Sequence, residues 1–146
     1  MARVLCAVDS SPAGREAVRA AVAFCREHNA DLELVGVVKE KSFFDVPQPS
    51  YGERVRGHKQ VQYELTRAAE IAREAGLSPG ITIRSGKLRK ELLREAEATM
   101  AEEVFLARSR GWIRAALTGH ARVTVVQVTL AGVARAGAER EHRKAA

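Results

Sequence analysis

An apolar run that leads directly into a helix start is the feature that most restricts the fold of this chain. Residues 3–8 (RVLCAV) are followed by Asp9, Ser11 and Pro12. Ser11 is a favourable N-cap, and Pro12 suits the first helical position because its missing N–H would have no partner there. The run at 31–38 (DLELVGVV) becomes wholly apolar, as a strand does when both of its faces are covered. The sequence therefore predicts a β-α-β unit at the start of the chain.

The later sequence continues the alternation of strands and helices. Apolar residues recur at helical spacing in two segments, and strand-like runs follow each of them. Alternation of this kind predicts an α/β fold, with a parallel sheet and helices on both faces. The predicted elements are helices over about 55–75 and 87–100, strands over 80–85 and 102–108, a short helix after 108 and a last strand over about 123–130.

Composition limits the domain organisation. With 146 residues, 46% of them hydrophobic and 29% charged, the chain has the size and balance of one folded domain. We predict a single domain over residues 1–134 and a frayed, weakly basic tail over 135–146, where apolar periodicity stops. Residues 39–52 contain two of the four prolines and are predicted to form a long loop, which either covers a site or packs on a helix.

The expected location is the cytoplasm. The most apolar stretches are shorter than the ~20 residues that a membrane-spanning helix needs. The first apolar run reaches Asp9 too early for a signal peptide. Cys6 and Cys25 lack metal-site spacing and are predicted to be small buried hydrophobic residues, and the four histidines are scattered. With no P-loop and no G-x-S-x-G or G-x-G-x-x-G motif, the sequence predicts no metal site and no catalytic residue.

Asp9 is the first candidate binding residue because it follows a predicted buried strand. In open parallel sheets, ligands bind beyond the carboxyl ends of the strands. A carboxylate there can accept a hydrogen bond from a ribose or adenine donor, or bind a cation. Alternatively, it bonds to backbone N–H groups at the helix start. The residues alone leave both interpretations open.

A basic turn after the fourth strand is the second candidate. Arg108, Arg110 and Arg114 surround Gly111 and Trp112 just before a helix. Guanidinium groups and helix N–H groups can bind an anion, but a solvated basic turn is the simpler interpretation. The net charge of +6 is compatible with nucleic acid, an anionic ligand or an acidic partner, and it selects none of them. The charged run KLRKELLR (87–94) is predicted to be a solvated helix face.

The first β-α-β unit resembles that of the universal stress protein family. Residues 3–38 (RVLCAVDSSPAGREAVRAAVAFCREHNADLELVGVV) have its Val-Asp-x-Ser strand end, a proline and a helix that leads to a Leu-x-Leu-x-x-Val-type strand. The order of later elements is similar to that of the family through about Leu106. The resemblance implies a Rossmann-like, five-stranded parallel sheet in the order 3-2-1-4-5. It also implies a homodimer through the last strand, about 123–130, whose exposed β-branched edge favours the same pairing.

The chain departs from the family's nucleotide-binding members after the fourth strand. Those members carry G-x2-G-x9-G-[ST], a loop whose backbone approaches the phosphates and ribose. With Gly111 as the second glycine, Arg108 occupies the first position, and Ala121 and Arg122 stand where Gly-Ser or Gly-Thr is expected. The comparison implies that most of the phosphate-binding loop is missing. Arg108 and Arg110 are candidate replacements because arginine binds phosphate bidentately.

Part of the family's nucleotide site is retained. The resemblance matches Asp9 to the family aspartate near adenine and ribose. It matches Val37 and Val38 to the end of the second strand, whose backbone would face adenine. The leading hypothesis is a stress-response or regulatory binding module that does not bind ATP in the usual way and needs no cofactor. The alternative is an adenine-nucleotide sensor for ATP or AMP that uses Asp9 and residues 108–114, with slow ATP hydrolysis left open.

A third hypothesis is an anion or nucleic-acid binder that uses an arginine cluster and the basic tail. Such binding would weaken steeply with salt. Nucleic acid is the less favoured ligand, because Trp112 is the one aromatic residue interleaved with this charge. The arginines of the cluster are Arg108, Arg110, Arg114 and Arg122.

Overall fold

The computed structural model describes residues 2–39, 51–107, 113–129 and 132–134. These residues form one sheet with helices on both faces. The strands are β1 (Arg3–Ala7), β2 (Asp31–Lys39), β3 (Gly80–Gly86), β4 (Glu103–Ala107), β5 (Arg122–Thr129) and β6 (Gly132–Ala134). The helices are α1 (Pro12–His28), α2 (Tyr51–Glu74), α3 (Leu88–Thr99) and α4 (Arg114–Leu117).

The sheet order is β3-β2-β1-β4-β5-β6. The first five strands of that order are parallel, which confirms the predicted order 3-2-1-4-5. The antiparallel strand β6 was not predicted, and it pairs with Gln127–Thr129 of β5. A short hairpin of this kind covers part of a sheet edge. Part of the strand predicted to meet a second copy is therefore already paired within the chain.

The core consists of two apolar layers, one on each face of the sheet. Alternate residues of β1 point to opposite faces, so Val4 and Cys6 pack under α1 and α2, and Leu5 and Ala7 pack under α3 and α4. Neighbouring strands are covered on both faces in the same way. This double coverage is why the strands are nearly continuous apolar runs in the sequence.

The helix boundaries follow the predicted start and stop residues. Ser11 is the N-cap of α1, and Pro12 is its first residue. Asn29 ends α1 in the left-handed conformation, with φ of 51°. α3 begins after Lys87 without a side-chain cap and ends at Met100, whose φ is 52°. The predicted start of α1 and the predicted range of α3 are therefore confirmed to within a residue or two.

The charged run at 87–94 differs from its prediction as a solvated face. Glu91 is buried, because its carboxylate accepts hydrogen bonds from Arg84 on β3 and from Arg94 one turn further along α3. Glu95, one turn after Glu91, is also buried and bonds to Arg84. The run therefore contributes to the packing of α3 on the sheet as well as to the surface.

Several predictions concern residues outside the described part of the chain. These are the loop around 40–50, the turn at 108–112 and the tail at 135–146. The predicted roles of Arg108, Arg110 and Gly111 remain predictions. No helix in the described ranges is both long and apolar enough to cross a bilayer.

Candidate functional site

Asp9 lies at the carboxyl end of β1, where the chain turns into α1. Its Oδ1 accepts hydrogen bonds from the backbone N–H of Ser11 (2.9 Å) and from the hydroxyl of Ser11 (2.5 Å). The Ser11 hydroxyl oxygen in turn accepts a hydrogen bond from the N–H of Gly14 at 3.0 Å, which caps α1. Asp9 and the helix start are thus joined by three local hydrogen bonds. Of the two interpretations of Asp9 left open by the sequence, this geometry shows the bonding to donors at the helix start, and binding of a ligand remains a prediction.

The end of β2 lies beside Asp9. The β1–β2 ladder closes with a hydrogen bond from the N–H of Val8 to the carbonyl of Val35 (2.8 Å), and Ala7 is paired with Val35. The same register continued by two residues places Asp9 level with Val37. Peptide groups of alternate residues point to the same side of a strand, so those of Val37 point past the end of β1. The structure therefore brings Asp9 and the Val37 backbone to one edge of the sheet.

Val37 and Val38 differ in their burial and in the direction of their peptide groups. Val37 is buried in the apolar layer beneath α3, and Val38 is half-buried. Because Val35 bonds to β1, the peptide groups of Val38, an odd number of residues later, point to the opposite side, toward β3. The backbone of Val37 is therefore the better-placed partner for a planar base, and Val38 lies behind it.

A small groove between α1 and α2 also reaches Asp9. Its polar lining includes Arg15, whose guanidinium binds the buried carboxylate of Glu64 at 3.2 Å, and Arg67. The groove encloses about 10 Å³, roughly the space that one water molecule needs. A base or a sugar does not fit in it. A nucleoside would therefore lie along the strand edge rather than between these helices.

The predicted arginine cluster is only partly described. Arg114 is the first residue of α4. Arg122 begins β5 and is paired with Glu103, whose carboxylate accepts a hydrogen bond from it at 3.4 Å. Because β1, β4 and β5 are parallel, the start of β5 lies at the edge of the sheet opposite Asp9. The structure therefore does not place Arg122 at the predicted site.

The cysteines are packed in the core on the α1 face of the sheet. Both Cys6 and Cys25 are buried, as predicted. Burial raises the pKa of the Cys25 thiol to about 11 and that of the Cys6 thiol further, so both are protonated at neutral pH. Among the side chains that the structure describes, no group of three or more His, Cys, Asp or Glu is arranged to hold a metal ion.

Comparison with known families identifies this arrangement. The model of the universal stress protein family matches residues 1–132. The chain belongs to the universal stress protein family. No curated protein matches the chain. Membership explains why a lone aspartate at the end of β1 is followed by a serine-capped helix and by a second apolar strand.

Solved structures of the family share the fold of the chain at low sequence identity. A universal stress protein from Burkholderia pseudomallei has a TM-score of 0.67 at 21% identity, over 87% of this chain and 95% of that one. The family protein from Arabidopsis thaliana, with AMP bound, has a TM-score of 0.65 at 13% identity, over 90% and 94%. The protein from Archaeoglobus fulgidus, in complex with dAMP, has a TM-score of 0.64 at 14% identity, over 88% and 98%.

Proposed function

We propose that this universal stress protein is a regulatory binding module that binds the nucleoside part of an adenine nucleotide at the carboxyl edge of β1 and β2. Asp9 accepts a hydrogen bond from a ribose hydroxyl or from the adenine amino group, and the Val37 backbone meets the edge of the base. The proposal includes no catalytic step. It unites the hypothesis of a module without usual ATP binding with that of an adenine-nucleotide sensor.

The observation that carries this proposal is the overhang of β2 beyond the end of β1. The β1–β2 ladder ends at Val35, whereas β2 continues to Lys39 and stays paired with β3 as far as Gly86. A rigid strand therefore presents, beside the oriented carboxylate of Asp9, peptide groups with which no described strand is paired. Backbone donors and acceptors on a rigid strand, next to one carboxylate, suit a nucleoside. The AMP and dAMP complexes of the two structural relatives support the ligand class.

The phosphates are expected to contribute little affinity. In the sequence, Arg108 and Ala121 replace two glycines of the family's phosphate-binding loop, and Arg122 replaces the serine or threonine that follows the last one. A glycine-rich loop binds phosphates through several backbone N–H groups, each worth about tenfold in affinity. Without those groups, ATP and AMP should bind about as tightly as adenosine does.

Calorimetric titration of nucleotide-stripped protein with adenosine, AMP and ATP tests the proposal. We expect all three to bind, with ATP no more than about tenfold tighter than adenosine. Asp9→Ala should abolish binding. Asp31→Ala is the matched control, because Asp31 is an exposed aspartate at the opposite end of β2. Absence of binding at millimolar ligand, or a preference for ATP of a hundredfold or more, would overturn the proposal.

We further propose that two copies pair through the part of β5 that precedes β6. The N–H of Arg122 bonds to Glu102, on the β4 side, so the peptide groups of Val123 and Val125 point to the outer edge. In the described part of the chain, this edge is paired only from Gln127 onwards. Sedimentation should show a dimer. Val125→Pro, which removes an outward N–H and no β4 hydrogen bond, should give a folded monomer. A wild-type protein that stays monomeric at high concentration contradicts this pairing.

A further inference from the structure

Gly14, in the first turn of α1, has no Cβ atom, and the Asp9 carboxylate occupies the space that a Cβ atom would fill. A Cβ atom at position 14 would overlap Oδ1 of Asp9 and would lie 2.7 Å from its Cγ. Real carbon atoms do not approach each other this closely without bonding. For Gly57, a glycine within α2, no described heavy atom beyond its chain neighbours and its own helix backbone lies within 4 Å of the Cβ position. The two helical glycines therefore differ in what a methyl group would meet.

An alanine at position 14 can be accommodated only if Asp9 moves. The Asp9 carboxylate is at the end of a rotatable side chain, whereas its backbone carbonyl, 3.0 Å from the Cβ position, is fixed by the turn. The carboxylate would therefore rotate away from α1. Both hydrogen bonds that Ser11 donates to Oδ1 would then be lost. The helix itself would otherwise gain from alanine, because glycine is a poor helix former.

We propose that Gly14 is a positioning residue for the binding site: by lacking a side chain, it fixes the orientation in which Asp9 meets a nucleoside. Asp9, Ser11 and Gly14 act as one cluster, called here the Asp9 cluster. Gly14 admits the carboxylate, and Ser11 holds it while capping the helix. The effect on ligand binding rests on the function proposed above. The effect on the orientation of Asp9 does not.

The sequence alone does not single out Gly14, because a single glycine in an amphipathic helix is tolerated. The available signal is its position five residues after Asp9, in an otherwise alanine-rich helix start. The glycine is buried, so exposure to solvent does not explain it. Its cost to the helix is offset by the room it gives to a charged side chain.

A double-mutant cycle tests the orientation of Asp9 without any ligand. Gly14→Ala, Asp9→Ala and the double variant are compared by thermal melting, with Gly57→Ala as the matched control. Gly57→Ala should raise Tm, because it adds a helix-favouring methyl group in open space. Gly14→Ala should lower Tm, and this loss should shrink or reverse in the Asp9→Ala background. Equal effects of Gly14→Ala in both backgrounds would overturn the proposal.

Hydrogen exchange gives a direct reading of the Asp9 cluster. The Ser11 amide proton should exchange slowly in the wild type and in Gly57→Ala, because it is bonded to Oδ1 of Asp9. In Gly14→Ala it should exchange at least tenfold faster, as in Asp9→Ala. An unchanged exchange rate in Gly14→Ala would show that Asp9 keeps its place and would overturn the proposal.

Titration with adenosine then separates this proposal from the proposed function. If the wild type binds adenosine, Gly14→Ala should lose tenfold or more in affinity, Gly57→Ala should lose none, and the double variant should bind no worse than Asp9→Ala. Wild-type affinity in Gly14→Ala would refute Gly14 as a positioning residue. If the wild type binds no nucleoside, the proposed function fails, and the melting cycle and the Ser11 exchange rate alone decide whether Gly14 orients Asp9.

Discussion

Two groups of carboxylates in this protein differ in the elements that contact them. Asp9, at the carboxyl edge of the sheet, accepts two hydrogen bonds from Ser11 of its own turn. Glu91 and Glu95, beneath α3, are held by the guanidinium of Arg84 from β3. The hydrogen bond to Glu95 raises the pKa of Arg84, so this guanidinium keeps its charge.

We infer from this difference that Asp9 contributes to ligand binding, whereas Glu91 and Glu95 stabilise the fold. Glu95 is only 4% exposed, and a charge buried to that extent needs an opposite charge beside it. Asp9 is half-buried, and no strand covers the edge at which it lies in the described part of the chain. Removal of partners should therefore reduce stability most beneath α3, and should reduce binding most at Asp9.

The largest expected effect on stability is that of Arg84→Ala. This change leaves the carboxylate of Glu95 buried without its cation, and we expect a loss of about 3 kcal/mol in the free energy of unfolding. Urea denaturation measures it. Arg94→Ala is the control, because that exposed arginine forms only an i,i+3 pair with Glu91 and should cost about 0.3 kcal/mol. Similar losses in the two variants would contradict a buried, charge-dependent network.

Ser11→Ala should have a smaller effect on stability and a larger one on binding. It removes the α1 cap and one of the two hydrogen bonds to Asp9, at a cost of about 1 kcal/mol. Because the Asp9 carboxylate loses its hydroxyl donor, adenosine affinity should also fall. Arg84→Ala, measured well below its melting temperature, should bind adenosine as the wild type does. If both variants lose affinity in proportion to stability, the distinction between the two carboxylate groups fails.

The same contrast explains how far the sequence could be read. β1, β2 and β4 were predictable, because burial on both faces makes each one a nearly continuous apolar run. β6 was not, since three residues carry no periodicity. The charged run at 87–94 was interpreted as solvated because the partner of Glu91 and Glu95 is Arg84, on a different element. Asp9 was predicted from its place after a strand, whereas Gly14 needed the three-dimensional distance to Asp9. Local patterns thus predicted elements, and contacts between elements required the structure.

Glu33, on β2, is intermediate between Asp9 and the buried carboxylates of Glu91 and Glu95. Its substitution should have the smallest effect on stability. Its carboxylate lies against Gly80, much as that of Asp9 lies against Gly14. Burial raises the pKa of Glu33, with a further contribution from the charge of Glu95. An acid whose pKa is raised by folding binds its proton more tightly when folded, so its charge opposes folding above that pKa and has no cost below its unfolded value.

Glu33→Gln should therefore raise Tm at neutral pH, and the gain should disappear as the pH falls through the raised pKa to below the ordinary value of 4.5. Melting curves from pH 3 to pH 8 measure this, with Glu102→Gln as a control for the loss of one exposed negative charge. A gain that persists unchanged at pH 3 would assign the effect to amide packing against Gly80. A loss of stability at neutral pH would instead show that the charge of Arg3, which favours the charged form of Glu33, outweighs burial. Glu33 would then belong with the carboxylates held by arginine.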